Sequence, residues 1–351
     1  MRGLPSVMHH TQCGTIIFRM ETKPSASLVS PPRLITSFVT GFNAVANHIY
    51  LVLFPILLDL FLWFGPRLRV KTLLEPAITE LNRQINTTGT VDPNTIRNTQ
   101  EIAQIILDRF NMFSLLRTFP IGIPSLMAGQ APLQTPLGHA PIYEMTSLLG
   151  VIGLWILFNL IGILLACLYF GEMVRLSREK YPNPSTTRIW WQAIQIVLLT
   201  IALFTGLMVF FIPISMMITV IALINPSLAQ IALFFVSLFL IWVLVPLVYS
   251  PHGIFTYSQN VLTSAITSLK LVRFFLPGTG LFLLIAILIN QGLNIIWTMP
   301  SEDSWMLLVG VLGHAFISTG LLMASFFYYL GGMRWMQENF DNKSKRSTLT
   351  I

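Results

Sequence analysis

Charged side chains are scarce in this chain: Asp, Glu, Lys and Arg make up only 10% of its 351 residues, against roughly a quarter in soluble domains. That shortage excludes an ordinary water-soluble globule and points to lipid as the solvent. Cysteine is scarcer still. Cys13 and Cys167 are the only two, one in a polar tail and one in an apolar run, which excludes a disulfide framework and a paired-cysteine metal site. The sequence also lacks a Gly-rich phosphate loop, a His-Glu-x-x-His and a Gly-x-Ser-x-Gly, so no cofactor and no hydrolytic motif is expected. Residues 1 to 33 hold no apolar stretch of about 7 to 15 residues before a small-residue cleavage site, and read as a tail rather than a signal peptide. His9, His10 and Cys13 in that tail have no matched second cluster, and no metal site is assigned to them.

What the chain has in abundance is apolar sequence, 54% of all residues. Crossing about 30 Å of hydrocarbon takes roughly 20 residues at 1.5 Å each. Six stretches suffice: 44–64, 145–170, 190–224, 228–250, 276–298 and 305–330. The fold class expected is therefore all-α integral membrane, with six transmembrane helices and interfacial amphipathic helices. The run 190–224 contains Pro213 and is longer than one upright helix needs, so it reads as one kinked helix or two short spans. Asn225-Pro226-Ser227 reads as a tight turn.

The net charge of +7 comes from bases in tails and loops flanking apolar runs, which implies a lipid bilayer as partner and no nucleic acid. Placing the amino terminus inside puts the bases of 1–43, 171–189, 251–275 and 331–351 in the cytoplasm, and leaves the short loops at 225–227 and 300–304 without any. Both termini are then cytoplasmic. Arg67, Arg69 and Lys71 run against the rule, but they open a long loop, where it holds poorly.

That loop, 65–144, is the one extracytoplasmic segment large enough to engage a protein partner. Its first part is expected to form two amphipathic helices, one interrupted at Pro76 and one beginning at Asp92-Pro93. Its second part, 119–141, carries five prolines and cannot be a regular spanning helix. It reads as an interfacial connector, with a lid or partly re-entrant loop as the alternative. Leu34 to Asn47 and Ile254 to Phe275 read as surface helices feeding the next span, the latter with Ile254, Val261, Leu262, Ala265, Ile266, Leu269 and Val272 on its apolar face.

Only Asp59 among the charged residues falls inside a span. It lies roughly 9 Å from the outer boundary and His314 roughly 13 Å, in the layer that also holds Asn290, Gln291 and Asn294. A polar cluster of Asp59, His314, Asn290 and Asn294 is the candidate site, with Asp59 and His314 able to share a proton. The competing reading is structural: buried Asn, Gln and His also join helices by hydrogen bonds of about 0.6 kcal/mol each.

The strings Gly41-Phe42-Asn43, Pro55 with Asp59 and Gly65-Pro66, Pro120-Ile121-Gly122-Ile123-Pro124-Ser125-Leu126, and Gly292-Leu293-Asn294 with Trp297 and Pro300 resemble a bacterial family of uncharacterised multipass membrane proteins. The order of surface helix then span is more distantly similar to the membrane domain attached to some glycerophosphodiester phosphodiesterases. The resemblance implies a bacterial cytoplasmic membrane and carries no catalytic residue. Two functions follow as expectations. The first is a non-enzymatic scaffold or accessory component. The second is a transporter of a small solute or lipid with an Asp/His protonation site in the outer half.

Overall fold

A computed structural model describes residues 31–88, 93–181 and 188–348. The tail residues His9, His10 and Cys13, and Asp92, lie outside the described residues. In chain order the helices are α1 (Leu34–Asn47), α2 (Leu53–Phe64), α3 (Lys71–Thr88), α4 (Pro93–Arg109), α5 (Met127–Gln130), α6 (Leu148–Ser177), α7 (Ile189–Ile224), α8 (Pro226–Leu244), α9 (Ser250–Tyr257), α10 (Val261–Phe274), α11 (Leu276–Trp297) and α12 (Leu307–Thr348). Two three-residue strands, β1 (Arg67–Arg69) and β2 (Ile142–Glu144), pair in parallel. Five helical segments are long and apolar enough to cross a membrane, or six if the bent pair at the amino end counts as one span. The protein is an all-α membrane protein.

The bundle is built around α12. Of its apolar window 61% is buried, against none in the windows of α7 and α8, so α12 is the axis and the apolar windows of the α7–α8 hairpin are left uncovered by the rest of the described residues. Small residues let neighbours approach. A Cβ added at Gly41 would lie 2.5 Å from the Ala324 amide nitrogen, and Gly310 and Gly313 are covered by Trp297. Phe42 rests on Gly320 and Pro32 on Gly331, so α1 runs antiparallel to α12 toward the bundle centre. It packs against the axis along one face and leaves Ile35 and Val39 exposed on another. A short 3-10 turn, Ile49–Val52, leads into α2, and the chain bends by 91° between α1 and Ile49–Phe64. The span expected at 44–64 is thus broken at His48, whose Nδ1 meets the Ala44 carbonyl at 3.0 Å.

Residues 189–224 form one helix through Pro213, about 54 Å long. Since that exceeds the hydrocarbon thickness, α7 must tilt or project. Asn225 caps α8, accepting from the Ser227 and Leu228 amides at 2.9 and 3.3 Å, with Pro226 at the first helical position. The surface helix expected over 254–275 is two helices, because Ser258 turns left-handed (φ 53°) after α9. Its expected apolar face is divided: Ile254 and Val272 are buried, Leu262 and Ile266 are exposed, and Ser264 and Ser268 are buried. In lipid, apolar side chains can face outward, and the serines are needed inside. Ser268 Oγ accepts from the Tyr249 amide at 3.2 Å and donates to Pro246 O at 2.6 Å, and Ser264 Oγ donates to Ser250 O at 2.5 Å, serving backbone around Pro246 and Pro251, where regular helix pairing stops.

Candidate functional site

The excursion 65–144 closes on itself through β1 and β2, with Arg67 opposite Ile142 and Arg69 opposite Glu144. Beyond this neck, α3 and α4 stand side by side, joined by Lys71 and Asp108 at 2.8 Å. Helix α3 runs through Pro76. Its first turn already closes on Val70 O through the Leu73 and Leu74 amides, so the proline removes one later bond and the helix continues.

The proline-rich part does not stay at the end of the bundle. Leu116 and Thr118 rest on Gly162, fourteen residues or about 21 Å along α6 from Leu148. The Phe119 carbonyl accepts from Thr200 Oγ1 at 3.2 Å, eleven residues or about 16 Å along α7 from its opposite end. Both markers put Thr118 and Phe119 near the middle of the bundle. Ile121, Ile123, Leu126 and Met127 are all buried, so the segment re-enters the helical bundle and is packed in protein, as irregular backbone at membrane depth must be.

Asp59 holds this loop. Its carboxylate accepts from Ser125 Oγ at 2.5 Å, the Met127 amide at 3.0 Å and the Leu126 amide at 3.1 Å. Ser125 Oγ in turn accepts from the Ala128 amide at 3.0 Å. The buried acid therefore satisfies the orphan amides at the start of α5. Glu302 makes a second clamp in the loop before α12. Its carboxylate accepts from Arg109 Nη1 and the Leu133 amide, both at 2.6 Å, and its carbonyl accepts from Trp63 Nε1 at 3.0 Å. Burial pushes the Glu302 carboxyl up, but the hydrogen bonds from Arg109 and Leu133 outweigh it and hold the group below the usual glutamate range.

Between the re-entrant loop, α11 and α12 lies an open groove of about 590 Å³. One end is polar, lined by Arg117, Asn290, Gln291 and His314. The other is apolar, lined by Phe170, Phe282, Leu283, Leu321 and Leu322, and closes at Ser325. From His314 to Ser325 is eleven residues of α12, about 16 Å. Arg117 is the only formally charged residue of the lining, and it pairs with no carboxylate among the described residues. His314 is only 7% exposed, and its Nε2 has no hydrogen-bond partner.

Of the four residues expected to cluster, His314 and Asn290 share this groove. Asp59 is taken up by Ser125, Leu126 and Met127, and no hydrogen bond joins it to His314 among the described residues. Asn294 lies on α11 outside the groove lining, with its buried Oδ1 unpartnered. Arg117 acts electrostatically on both Asp59 and His314 and escaped the sequence reading because only 119–141 was weighed there as partly re-entrant, and Arg117 precedes it. A usable signal existed: Met112–Leu116 and Ile121–Met127 are apolar runs too short to span, the mark of a re-entrant segment. Sequence reasoning also missed Ser325 and His252, whose Oγ and Nε2 are 2.8 Å apart. The His252 Nδ1 has no partner and no acid orients the ring, so the pair lacks the third member of a nucleophile–base arrangement.

Comparison with protein-family models, with curated proteins and with solved structures finds no match, so the argument for function rests on this geometry.

Proposed function

We propose that the protein binds an anionic amphiphile drawn laterally from the bilayer, with its headgroup at Arg117 and its chain along the groove, as a lipid-transporting or lipid-handling component would. The observation that carries this reading is Arg117 itself: a guanidinium with no carboxylate partner, set near the middle of the bundle. An arginine at that depth costs about 2.5–3.5 kcal/mol on an insertion scale, and no direct ion pair among the described residues offsets it, the Asp59 carboxylate that feels its charge being taken up by Ser125, Leu126 and Met127. An anionic ligand does, and the partnerless His314 Nε2, Asn290 and Gln291 can hydrogen-bond its remaining polar atoms. The sideways opening favours an amphiphile over a soluble anion, since Leu284, Ile287 and Leu288 of the adjoining α11 face are all exposed. The distribution of Lys and Arg supports a topology with the 65–144 end outside and both termini in the cytoplasm, and the resemblance stated above supports a bacterial cytoplasmic membrane.

The test is equilibrium binding of an alkyl phosphate and of the alcohol with the same chain to the full-length protein in zwitterionic nanodiscs. The phosphate is expected to bind more tightly, and Arg117→Gln to weaken it about 10-fold or more, since a hydrogen bond to a charged group contributes about 1.5–3 kcal/mol. Equal binding of alcohol and phosphate, or an unaffected Arg117→Gln protein, defeats the reading.

A second reading, an accessory component that docks a membrane partner, is favoured by the α7–α8 hairpin, whose apolar windows bury nothing. In that case the partner is expected to dissociate when Phe234, Phe235 and Leu238 are replaced by alanine, with the groove ligand retained. Retention of the partner by that triple variant counts against docking along the hairpin.

A further inference from the structure

The opposite end of the bundle carries a second recess of about 520 Å³, enclosed by the start of α1, the residues just after α6 and the later turns of α12. Three cations line it, Arg33, Lys180 and Arg334, against the single carboxylate of Glu338. Arg334 holds Glu338 at 2.9 Å, which leaves the other two cations without a carboxylate among the described residues of the lining. Lys180 donates to Thr40 Oγ1 at 3.0 Å and stands 5.8 Å from the Phe327 ring centroid. No carboxylate among the described residues pairs with Arg33 or Lys180. Tyr181 and Trp335 complete the rim, the amphipathic residues found where hydrocarbon meets headgroups.

Phe327, Tyr181 and Trp335 give the cationic hollow an aromatic wall. A free phosphate needs only the cations, whereas a phospholipid can use the wall as well.

We propose that this recess binds the phosphate headgroup of an anionic phospholipid, with Arg33 and Lys180 on the phosphate and the lipid's glycerol end against Tyr181 and Trp335. The site is independent of the Arg117 groove and stands or falls without it. The experiment is native mass spectrometry of the full chain titrated with phosphatidylglycerol and with phosphatidylcholine of the same acyl chains. Phosphatidylglycerol is expected to bind preferentially. Arg33→Gln with Lys180→Gln is expected to weaken it about 30-fold, and either change alone about 5-fold, from the attraction of single basic residues to anionic lipid. The single variants keep the test open should the double variant fail to fold, and all of them are also made on an Arg117→Gln background, where the loss at Arg33 and Lys180 is read without the groove's contribution. Equal binding of the two lipids, or unaltered phosphatidylglycerol binding by the single and double variants, overturns the proposal. Displacement of the lipid by an equal concentration of glycerol phosphate overturns it too, because the site then recognises a soluble phosphate.

Discussion

Replacing Asp59 with alanine removes the acceptor shared by Ser125 Oγ, the Leu126 amide and the Met127 amide. The serine hydroxyl can rotate to another partner, but the two amides stay buried under protein. Each donor left unsatisfied costs about 1–3 kcal/mol, so the re-entrant loop should lose about 2–6 kcal/mol of local stability. Against a global stability of about 5–15 kcal/mol, that opens the loop well before it unfolds the bundle. Hydrogen–deuterium exchange of a peptide covering residues 120–130 is the assay, with a peptide from α12 as internal reference. Exchange of the Leu126 and Met127 amides is expected to accelerate about 30-fold or more, at about a factor of ten per 1.4 kcal/mol. Asp59→Asn keeps one acceptor oxygen and should give a smaller acceleration. A folded Asp59→Ala protein with unchanged exchange in 120–130 would falsify the view that Asp59 is the latch of the loop.

Other outcomes follow from the same geometry. Gly162→Leu drives a side chain into Leu116 and Thr118 and should expel the tip of the re-entrant loop, read as new labelling of a cysteine placed at Phe119. Glu302→Ala leaves Arg109 and the Leu133 amide without their acceptor and should loosen residues 131–134 by about 2–4 kcal/mol, again visible by exchange. The Glu302 carboxyl is held below its ordinary value, so its contribution is fully present above about 4.3 and lost as pH falls through the lower folded value. Protection of residues 131–134 should therefore be flat from about pH 7 to 5 and fall only below about pH 4; a loss already present at pH 6 would contradict the clamp. Ser325→Ala should leave the protein unreactive toward a fluorophosphonate, as the parent is expected to be. Labelling of the parent at Ser325 would show that a nucleophile has been overlooked.

Much of the architecture was legible because a bilayer imposes a length on apolar runs. The spans near α6, α11 and α12 announce themselves that way, and Asn225-Pro226-Ser227 reads as a tight turn into the next span, which the structure builds with Asn225 as the cap of α8. The bend at His48 and the division between α9 and α10 do not, because each depends on what the chain packs against next. The apolar face expected on α10 is split between the protein interior at Val272 and the outer surface at Leu262 and Ile266, and periodicity alone does not tell the two apart. The candidate site was legible in part. His314 and Asn290 share a groove as their common layer suggested, whereas Asp59 found its partners in a loop 66 to 68 residues away. Nothing local in the sequence fixes how deep that loop goes. The depth is set by Gly162 and Thr200 on two other helices, and with it the placement of Arg117.

The central claim is that the groove beside Arg117 holds an anionic amphiphile, and it is met most directly by electron cryomicroscopy of the full-length protein in nanodiscs containing native lipid. The account predicts elongated density between α11, α12 and the re-entrant loop, with its polar end in hydrogen-bond contact with Arg117 and its tail running toward Ser325. Density with the polar end at Ser325, or a groove filled only by water with Arg117 turned away, would contradict it.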